Sequence, residues 1–307
     1  MSTSAQFFDT TTHDDTRGLL LGLAGVALFS LTLPFTRLAV LELDPMFVAF
    51  GRALGAAVLA GACLAWRRAP LPPRAALLPL ALVAFGVVIA YPLLTSIALR
   101  TLPAAHGAVL AGMLPLATAL YVALRGDERP SSGFWLVALL GAALVIAYAV
   151  VRGGGSLHLA DLLMLLAIGA GAMGYAEGGK LARTLGGPET MCWALLIAAA
   201  PAAALLAWHD GVRPGALLAE LAHASAAAWL SMAYVTACSS LLGMFLWYRG
   251  MALGGVARVG QVQLLQPFMS LVAAAALLGE ALDLATCLFA VAVLGVVLAG
   301  RRMQVRR

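Results

Sequence analysis

The chain has 307 residues, of which 63% are hydrophobic and only 11% are charged. Soluble globular domains carry about 25% charged residues, so this composition excludes an ordinary soluble protein and indicates a polytopic membrane protein. The formal charge of +5 would suit nucleic-acid binding, but the basic residues stand at the ends of apolar segments, where they anchor helices. We therefore expect a lipid bilayer around the chain and no nucleic acid as a partner.

Apolar runs of about 20 residues, each enough to cross a bilayer as a helix, recur along the whole chain. The predicted fold class is an all-α polytopic membrane protein with ten transmembrane helices. The predicted helices cover residues 18–35, 46–66, 75–98, 103–124, 133–151, 160–181, 189–208, 226–248, 256–278 and 282–300. Residues 1–17 form a polar tail without the basic start of a signal peptide, and residues 301–307 form a basic tail.

The second half of the chain repeats a pattern of the first. Pro115 and Glu128 recur 152 residues further on as Pro267 and Glu280. The stretch RLAVLELDP, which begins at Arg37, recurs in part as KLARTLGGP 143 residues later. These matches predict an internal duplication.

The duplication predicts two five-helix repeats, residues 18–151 and 160–300, joined by a linker at 152–159. Because five is an odd number, the second copy must enter the membrane from the opposite side. Inverted repeats are typical of alternating-access transporters, which hold substrate near the membrane midplane between the repeats. If the N-terminus is cytoplasmic, 14 of the 19 basic residues fall on the cytoplasmic side, 4 on the other side, and Arg52 within a helix. This asymmetry predicts that both termini are cytoplasmic.

Polar residues gather on one face of the ninth predicted helix. Gln263, Gln266 and Ser270 are spaced i, i+3 and i+7, and Gln261 lies off this stripe. Facing a cavity, the amides could donate to a carboxylate and accept from an ammonium group of a substrate. Alternatively, the stripe joins this helix to a neighbour through interhelical hydrogen bonds.

Aromatic and hydroxyl side chains on other helices are further candidates for substrate binding. Tyr91 and Thr95 share a face of the third helix, Tyr234 and Ser239 lie midway along the eighth, and Trp193 is on the seventh. Core packing is the alternative role for each of them. Additional wall candidates are Phe29, Tyr175, Thr236 and Ser240.

Prolines inside predicted helices are candidate hinges, since each removes a backbone hydrogen bond and can kink the helix. Pro115 and Pro267 are the main candidates, and Pro92 and Pro201 are others. A static bend for packing is the alternative.

We take three ionisable side chains within the membrane as functional candidates, because a charge is costly there. Arg52 could bind a substrate carboxylate or extend to the membrane surface. His106 is expected at the interface, with proton coupling as the alternative. Glu177 is expected to pair with Lys180, again with proton coupling as the alternative.

Other acidic residues and the cysteines suggest structural roles. Glu128 and Glu280, which close the fourth helix of each repeat, are expected to cap or tether neighbouring helix ends. The four cysteines all fall in apolar segments and form no metal-ligand pattern. We expect neither a metal nor a cofactor.

The fourth helix ends alike in both halves, with a proline followed twelve residues later by Asp127-Glu128 or Gly279-Glu280. Together with the helix-opening segments LRTLPAAHGAVL and GMALGGVARVGQV, these endings resemble the drug/metabolite transporter superfamily, and within it the EamA-like family. The resemblance extends from residue 18 to residue 300. It implies a bacterial inner-membrane carrier with helices 1 to 4 and 6 to 9 around a central cavity and helices 5 and 10 as supports. Within the family the chain is most similar to YddG-type exporters of aromatic and other apolar amino acids.

The resulting functional hypothesis is an exporter of small amphipathic metabolites, with amino acids that carry apolar or aromatic side chains as the preferred substrates. A multidrug or quaternary-cation exporter of the same superfamily is the alternative. A membrane-embedded enzyme would need a cluster of catalytic residues at the interface, and the few His, Asp and Glu residues are scattered. A purely structural membrane protein is a further alternative, and the protein is expected to be a monomer or a homodimer.

Overall fold

The computed structural model describes residues 4–125, 129–130, 132–212, 215–254, 259, 262–302 and 305–306. Within these residues, eight helices are long and apolar enough to cross a membrane, and two further apolar helices near the C-terminus are shorter. In chain order they are α1 (Thr16–Val40), α2 (Pro45–Arg67), α3 (Arg74–Ala98), α4 (Ala104–Leu124), α5 (Trp135–Arg152), α6 (Leu159–Leu185), α7 (Gly187–Val212), α8 (Ala226–Met251), α9 (Val262–Leu278) and α10 (Leu284–Ala299). The predicted helices match them within a few residues, with two exceptions. α1 extends beyond its predicted range at both ends, and most of the predicted start of α9 lies outside the described residues.

The helix α1 is longer than predicted and is interrupted once. Its backbone is helical over Ser4–Ser30 and again over Thr32–Val40, with a turn at Leu31. The prediction began this helix at residue 18, where the apolar run starts. The polar tail contains no glycine or proline to stop a helix, so the helix extends beyond the apolar part.

Two other helices contain π-helical segments that hydropathy did not predict. In α3, the segment Ala84–Ala90 is π-helical between the α-helical segments Arg74–Val83 and Tyr91–Ala98. In α8, Tyr234–Gly243 is π-helical between Ala226–Ala233 and Met244–Gly254. π-Helical turns are rare and are found mostly at functional sites, so these two segments direct attention to the residues beside them.

The remaining elements complete the chain. α4 consists of Ala104–Ala111 and Leu114–Leu124, and α9 begins with the 3-10 turn Val262–Leu265 before the α-helix Gln266–Leu278. The helical backbone of α5 covers Ser132–Arg152 and that of α10 covers Leu284–Arg302, and a short helix, Ala216–His223, connects α7 to α8. The strands β1 (Arg129–Pro130) and β2 (Val305–Arg306) pair antiparallel, which places the α4–α5 connection beside the end of the chain.

The helices pack in pairs that combine the two halves of the chain. α1 packs on α8 and α3 packs on α6, while α2 packs on α7, α4 on α9, and α5 on α10. Renumbering each helix by five places, so that α1 becomes α6 and α8 becomes α3, gives the same set of pairs. The packing therefore has the two-fold pattern expected of two copies of one unit.

Glycines allow the closest of these contacts. A Cβ atom on Gly86 of α3 would lie 2.4 Å from the Ala170 carbonyl oxygen of α6, and one on Gly174 would lie 2.5 Å from Val87. At the corresponding α1–α8 crossing, a Cβ on Gly25 would lie 3.0 Å from the Trp247 nitrogen. Both crossings therefore need a residue without a side chain for the backbones to approach this closely.

Candidate functional site

A central cavity lies between the two halves of the molecule. It has an empty volume of about 670 Å³ and is lined by residues of α1 to α4 and α6 to α9. None of the residues described in α5 and α10 lines it, and these two helices pack on each other. The arrangement is the one that the family resemblance implies.

One cationic side chain stands in the wall of this cavity. Arg52 of α2 is only 6% exposed, and its guanidinium donates hydrogen bonds to the Ser240 hydroxyl oxygen from Nε at 3.2 Å and from Nη2 at 2.9 Å. The Ser240 hydroxyl in turn donates to the Val235 carbonyl oxygen at 2.8 Å, five residues back in the π-helical segment of α8. The π-helical register thus directs Ser240 towards the arginine.

Aromatic and apolar side chains form most of the remaining wall. Tyr91, which follows the π-helical segment of α3, lines the cavity. Further predicted candidates in the wall are Tyr175, Phe29, Ser239 and Gln266. Sequence reasoning missed several wall residues, because aliphatic side chains in apolar helices carry no signal for a cavity. They are Leu33, Met191, Leu195 and Met244, together with Thr32, whose hydroxyl lies 2.8 Å from that of Ser239.

A second cavity adjoins the first on the side of α9 and α10. Its empty volume is about 450 Å³, and its wall includes Gln263, Ser270, Pro115 and Pro267. Three residues line both cavities, namely Leu33, Leu114 and Gln266. The two predicted glutamines therefore face cavities, whereas Gln261 lies outside the described residues.

Ser270 also has the alternative role proposed for the α9 stripe. Its hydroxyl donates to the Ser30 carbonyl oxygen of α1 at 2.8 Å. The Ser30 hydroxyl donates to the Val26 carbonyl oxygen at 2.7 Å and also lies 3.4 Å from the Gln266 carbonyl oxygen. The stripe thus lines the cavities and also joins α9 to α1 where α1 is interrupted.

Three candidate binding residues lie outside both cavity walls. The Thr95 hydroxyl donates to the Tyr91 carbonyl oxygen at 2.7 Å, and the Tyr234 hydroxyl donates to the Leu28 carbonyl oxygen at 2.9 Å. Trp193 packs against the apolar core around α2 and α7. These residues have the packing role that was their alternative.

The candidate hinge prolines lie where helices begin again. Pro115 is in the first turn of Leu114–Leu124, after a turn at Gly112 and Met113, and Pro267 is in the first turn of Gln266–Leu278. A proline in a first turn needs no partner for its missing N–H, and both prolines lie where the helical backbone of their span is interrupted. Pro92 is in the first turn after the π-helical segment of α3 and lines the central cavity, and Pro201 lies inside α7.

His106, near the start of α4, is buried against Asp161, near the start of α6. Its Nε2 atom lies 2.8 Å from Asp161 Oδ1, and the two side chains are 5% and 0% exposed. Asp161 Oδ2 also accepts a hydrogen bond from the His158 backbone N–H at 3.0 Å. Sequence reasoning missed Asp161, although a carboxylate at the start of an apolar helix was a visible signal.

Glu177 is buried near the other end of the α4–α6 contact. Its Oε1 atom accepts a hydrogen bond from the Tyr121 hydroxyl at 3.0 Å and lies 3.6 Å from Nη2 of Arg125. Both of these partners are on α4. A buried carboxylate therefore joins α6 to α4 at each end of their contact.

Acidic residues outside the spans bind helix ends of the other half. Glu280 accepts hydrogen bonds from the backbone N–H groups of Ala104 and Ala105, each at 2.7 Å, which confirms its expected capping role. Its counterpart in the first half, Glu128, lies outside the described residues. Glu42 accepts from the backbone N–H and the hydroxyl of Ser225, and these hydrogen bonds lower the pKa of Glu42.

Metal ligands are not grouped in the described part of the chain. No set of three His, Cys, Asp or Glu side chains there could hold a metal ion. The buried pairs formed by Asp161 and Glu177 instead join helices.

Comparisons with known proteins agree with this geometry. The model of the EamA-like transporter family matches the chain twice, over residues 16–150 and 158–300. A Bacillus subtilis (strain 168) protein named "Uncharacterized transporter YdeK" is 44% identical over 287 residues, covering 94% of this chain and 98% of the relative. A solved structure titled only "Crystal structure of protein" shares the fold with a TM-score of 0.57 at 18% identity, over 93% of this chain and 98% of that one. The chain therefore belongs to the EamA-like transporter family and is a multi-pass membrane transporter, not an enzyme.

Proposed function

We propose that the protein is an alternating-access exporter of small amphipathic metabolites, built from two inverted repeats of five transmembrane helices. The two matches of one family model, over 16–150 and 158–300, support the duplication. The exchangeable helix pairs support it as well, as do the π-helical segments at the same place in the third helix of each half. In such a protein the two halves rock about a central site, which opens first to one side and then to the other.

The observation that carries this proposal is the central cavity, which has walls from both halves. A small solute bound there contacts α1 to α4 on one side and α6 to α9 on the other. Rocking of the halves changes those contacts, which is how binding and movement become coupled.

We propose amino acids with apolar or aromatic side chains as the preferred substrates. Tyr91, Tyr175 and Phe29 offer aromatic surface, while Gln266 and Ser239 offer uncharged polar groups. A quaternary-cation exporter, the alternative within the superfamily, would need a carboxylate to receive the cation, and none stands among the residues described in the cavity wall.

We place the protein in the bacterial plasma membrane with both termini in the cytoplasm. The distribution of basic residues supports this orientation. His106 and Asp161 form a buried titratable pair on the α4–α6 contact, and proton exchange through this pair is the alternative to facilitated diffusion.

The test is counterflow in liposomes that contain the purified protein. Labelled phenylalanine, threonine, a sugar and tetraphenylphosphonium are offered separately, with and without a pH gradient. Exchange of an amino acid without the gradient supports the proposal. Exchange of the cation alone would favour the alternative, and the absence of all exchange would contradict transport of these solutes.

A further inference from the structure

The charge of Arg52 is not neutralised by the protein around it. Among the described residues, the guanidinium bonds only to Ser240, and no carboxylate lies within ion-pair distance. The buried acidic side chains of the described residues are engaged elsewhere, Asp161 with His106, Glu177 with Tyr121 and Arg125, and Asp44 with His209. Burial of an unpaired charge is strongly unfavourable, so this arrangement needs a further partner.

Ser240 accepts two hydrogen bonds from the guanidinium, but it neither neutralises its charge nor uses its other N–H donors. One hydroxyl oxygen accepts from Nε and Nη2, while its own proton is committed to the Val235 carbonyl oxygen. An arginine has five N–H donors in a planar fork that matches a carboxylate. The remaining donors have no acceptor in the described part of the protein, and the residue stands in the cavity wall.

We propose that Arg52 binds the carboxylate of the transported solute, so that the substrates are monocarboxylates with an apolar or aromatic body. The inference rests on the proposed transport function and names the substrate class for its site. The solute's carboxylate completes the ion pair, while Tyr91, Tyr175 and Phe29 contact its apolar part. Cations such as quaternary amines are repelled by the same charge.

The experiment compares an amino acid with analogues that keep its amino group and aromatic ring but lack its carboxylate, in proteoliposomes. Wild-type protein is preloaded with phenylalanine, and the competing solutes are phenylalanine, phenylalaninamide and phenethylamine. We expect phenylalanine to compete at least about tenfold better than either analogue, since a site built for a polar group strongly rejects a ligand that lacks it. Equal competition by phenylalanine and phenylalaninamide would overturn the carboxylate role and leave transport itself established.

Variants of Arg52 provide the second arm of the experiment. Arg52→Gln should reduce phenylalanine exchange at least about tenfold and bring the ratio of acid to amide competition close to one. Arg52→Lys should keep a preference for the acid, because it retains the charge without the fork. Arg100→Gln removes a charge from an exposed turn and should leave exchange unchanged.

The outcomes of the variants separate a binding role from a structural one. An Arg52→Gln protein that still prefers the acid contradicts the proposal. If this variant does not fold, as judged by size-exclusion chromatography in detergent, the wild-type comparison of acid with amide decides alone. A wild-type protein that exchanges none of these solutes argues against the transport proposal and is distinct from failure of the Arg52 role.

Discussion

Glu280 is a residue whose two carboxylate oxygens hold the start of a helix in the other half of the chain. Each oxygen accepts a backbone N–H at the N-terminus of α4. Replacement by alanine leaves both donors without that partner, so we expect Glu280→Ala to lower the free energy of unfolding by about 1 to 2 kcal/mol. Thermal unfolding of the purified protein in detergent measures the change.

Glu189→Gln is the matched control for Glu280. It removes a carboxylate that forms a more exposed ion pair with Arg67, whose side chain is 46% exposed. Such pairs contribute only about 0 to 1 kcal/mol, so the control should unfold near the wild-type temperature. An equal loss in both variants would argue that Glu280 acts through general surface charge.

Glu42 predicts how stability changes in acid. Hydrogen bonds from the Ser225 backbone N–H and hydroxyl lower the pKa of Glu42 below its ordinary value. A lowered folded-state pKa stabilises the fold above the unfolded pKa, and this stabilisation is lost as pH falls through the folded value. Glu42→Gln should therefore melt below wild type at pH 7, and the two melting curves should converge as pH falls below about 4. A difference that stays constant between pH 7 and pH 3 would contradict this account.

At the residue scale, the sequence identified polar candidates for the cavity but did not determine which of them line it. Gln266, Tyr91 and Ser239 do line the cavity, since polar groups inside an apolar helix need a polar or hydrated neighbour. Tyr234 failed as a cavity candidate because a carbonyl of α1 takes its hydroxyl. Such a partner lies 206 positions away in the chain, and no local pattern reveals it.

The second cavity gives a prediction at the scale of helices. Ala111 of α4 lines this cavity and not the central one. If the apolar part of the substrate extends into it, Ala111→Leu should reduce exchange of phenylalanine at least about tenfold more than exchange of alanine, since small volume changes in apolar pockets have effects of that size. Counterflow with the two labelled amino acids measures the ratio.

A leucine on the outside of the same helix provides the control for that prediction. Ala119 is exposed on α4, so Ala119→Leu should affect both amino acids equally. An Ala111→Leu protein that slows alanine as much as phenylalanine would show that the substitution disturbs α4 generally, and the second cavity would then have no role in selectivity.

Hydropathy predicted where helices run but not how they are interrupted. The second helix was predicted at 46–66 and is found at Pro45–Arg67, because apolar length and an N-terminal Asp-Pro define it. The π-helical segments of α3 and α8 have no signal in composition or period. They depend on contacts with other helices, as the hydrogen bonds of Ser240 show.

The orientation of the whole molecule can be tested with fusions. β1 and β2 place the α4–α5 connection beside the C-terminus, and both carry basic residues. We expect green fluorescent protein to fluoresce when it is fused after Arg307 and alkaline phosphatase to be active when it is inserted at Gly154, in the connection between α5 and α6. The reversed pattern of reporters would place both termini outside and would change the direction assigned to transport.

Both fusions should be made in a bacterial host and corrected for expression by immunoblotting. The positions of the spans could be predicted because each is an apolar run, and Pro115 and Glu128 recur as Pro267 and Glu280 in the second half of the sequence. The pairing of helices between the halves could not, since α1 meets α8 only through contacts distant in the chain.

The glycine crossings constrain how natural variation in this chain should be interpreted. Gly86, Gly174 and Gly25 contact no cavity, yet a methyl group on any of them would meet another backbone or side chain at 3.0 Å or less. In a saturation mutagenesis screen scored by growth, these glycines would tolerate substitution as poorly as Arg52. Scoring the same library by protein abundance would distinguish the groups, because glycine variants should be degraded while arginine variants accumulate as idle carriers.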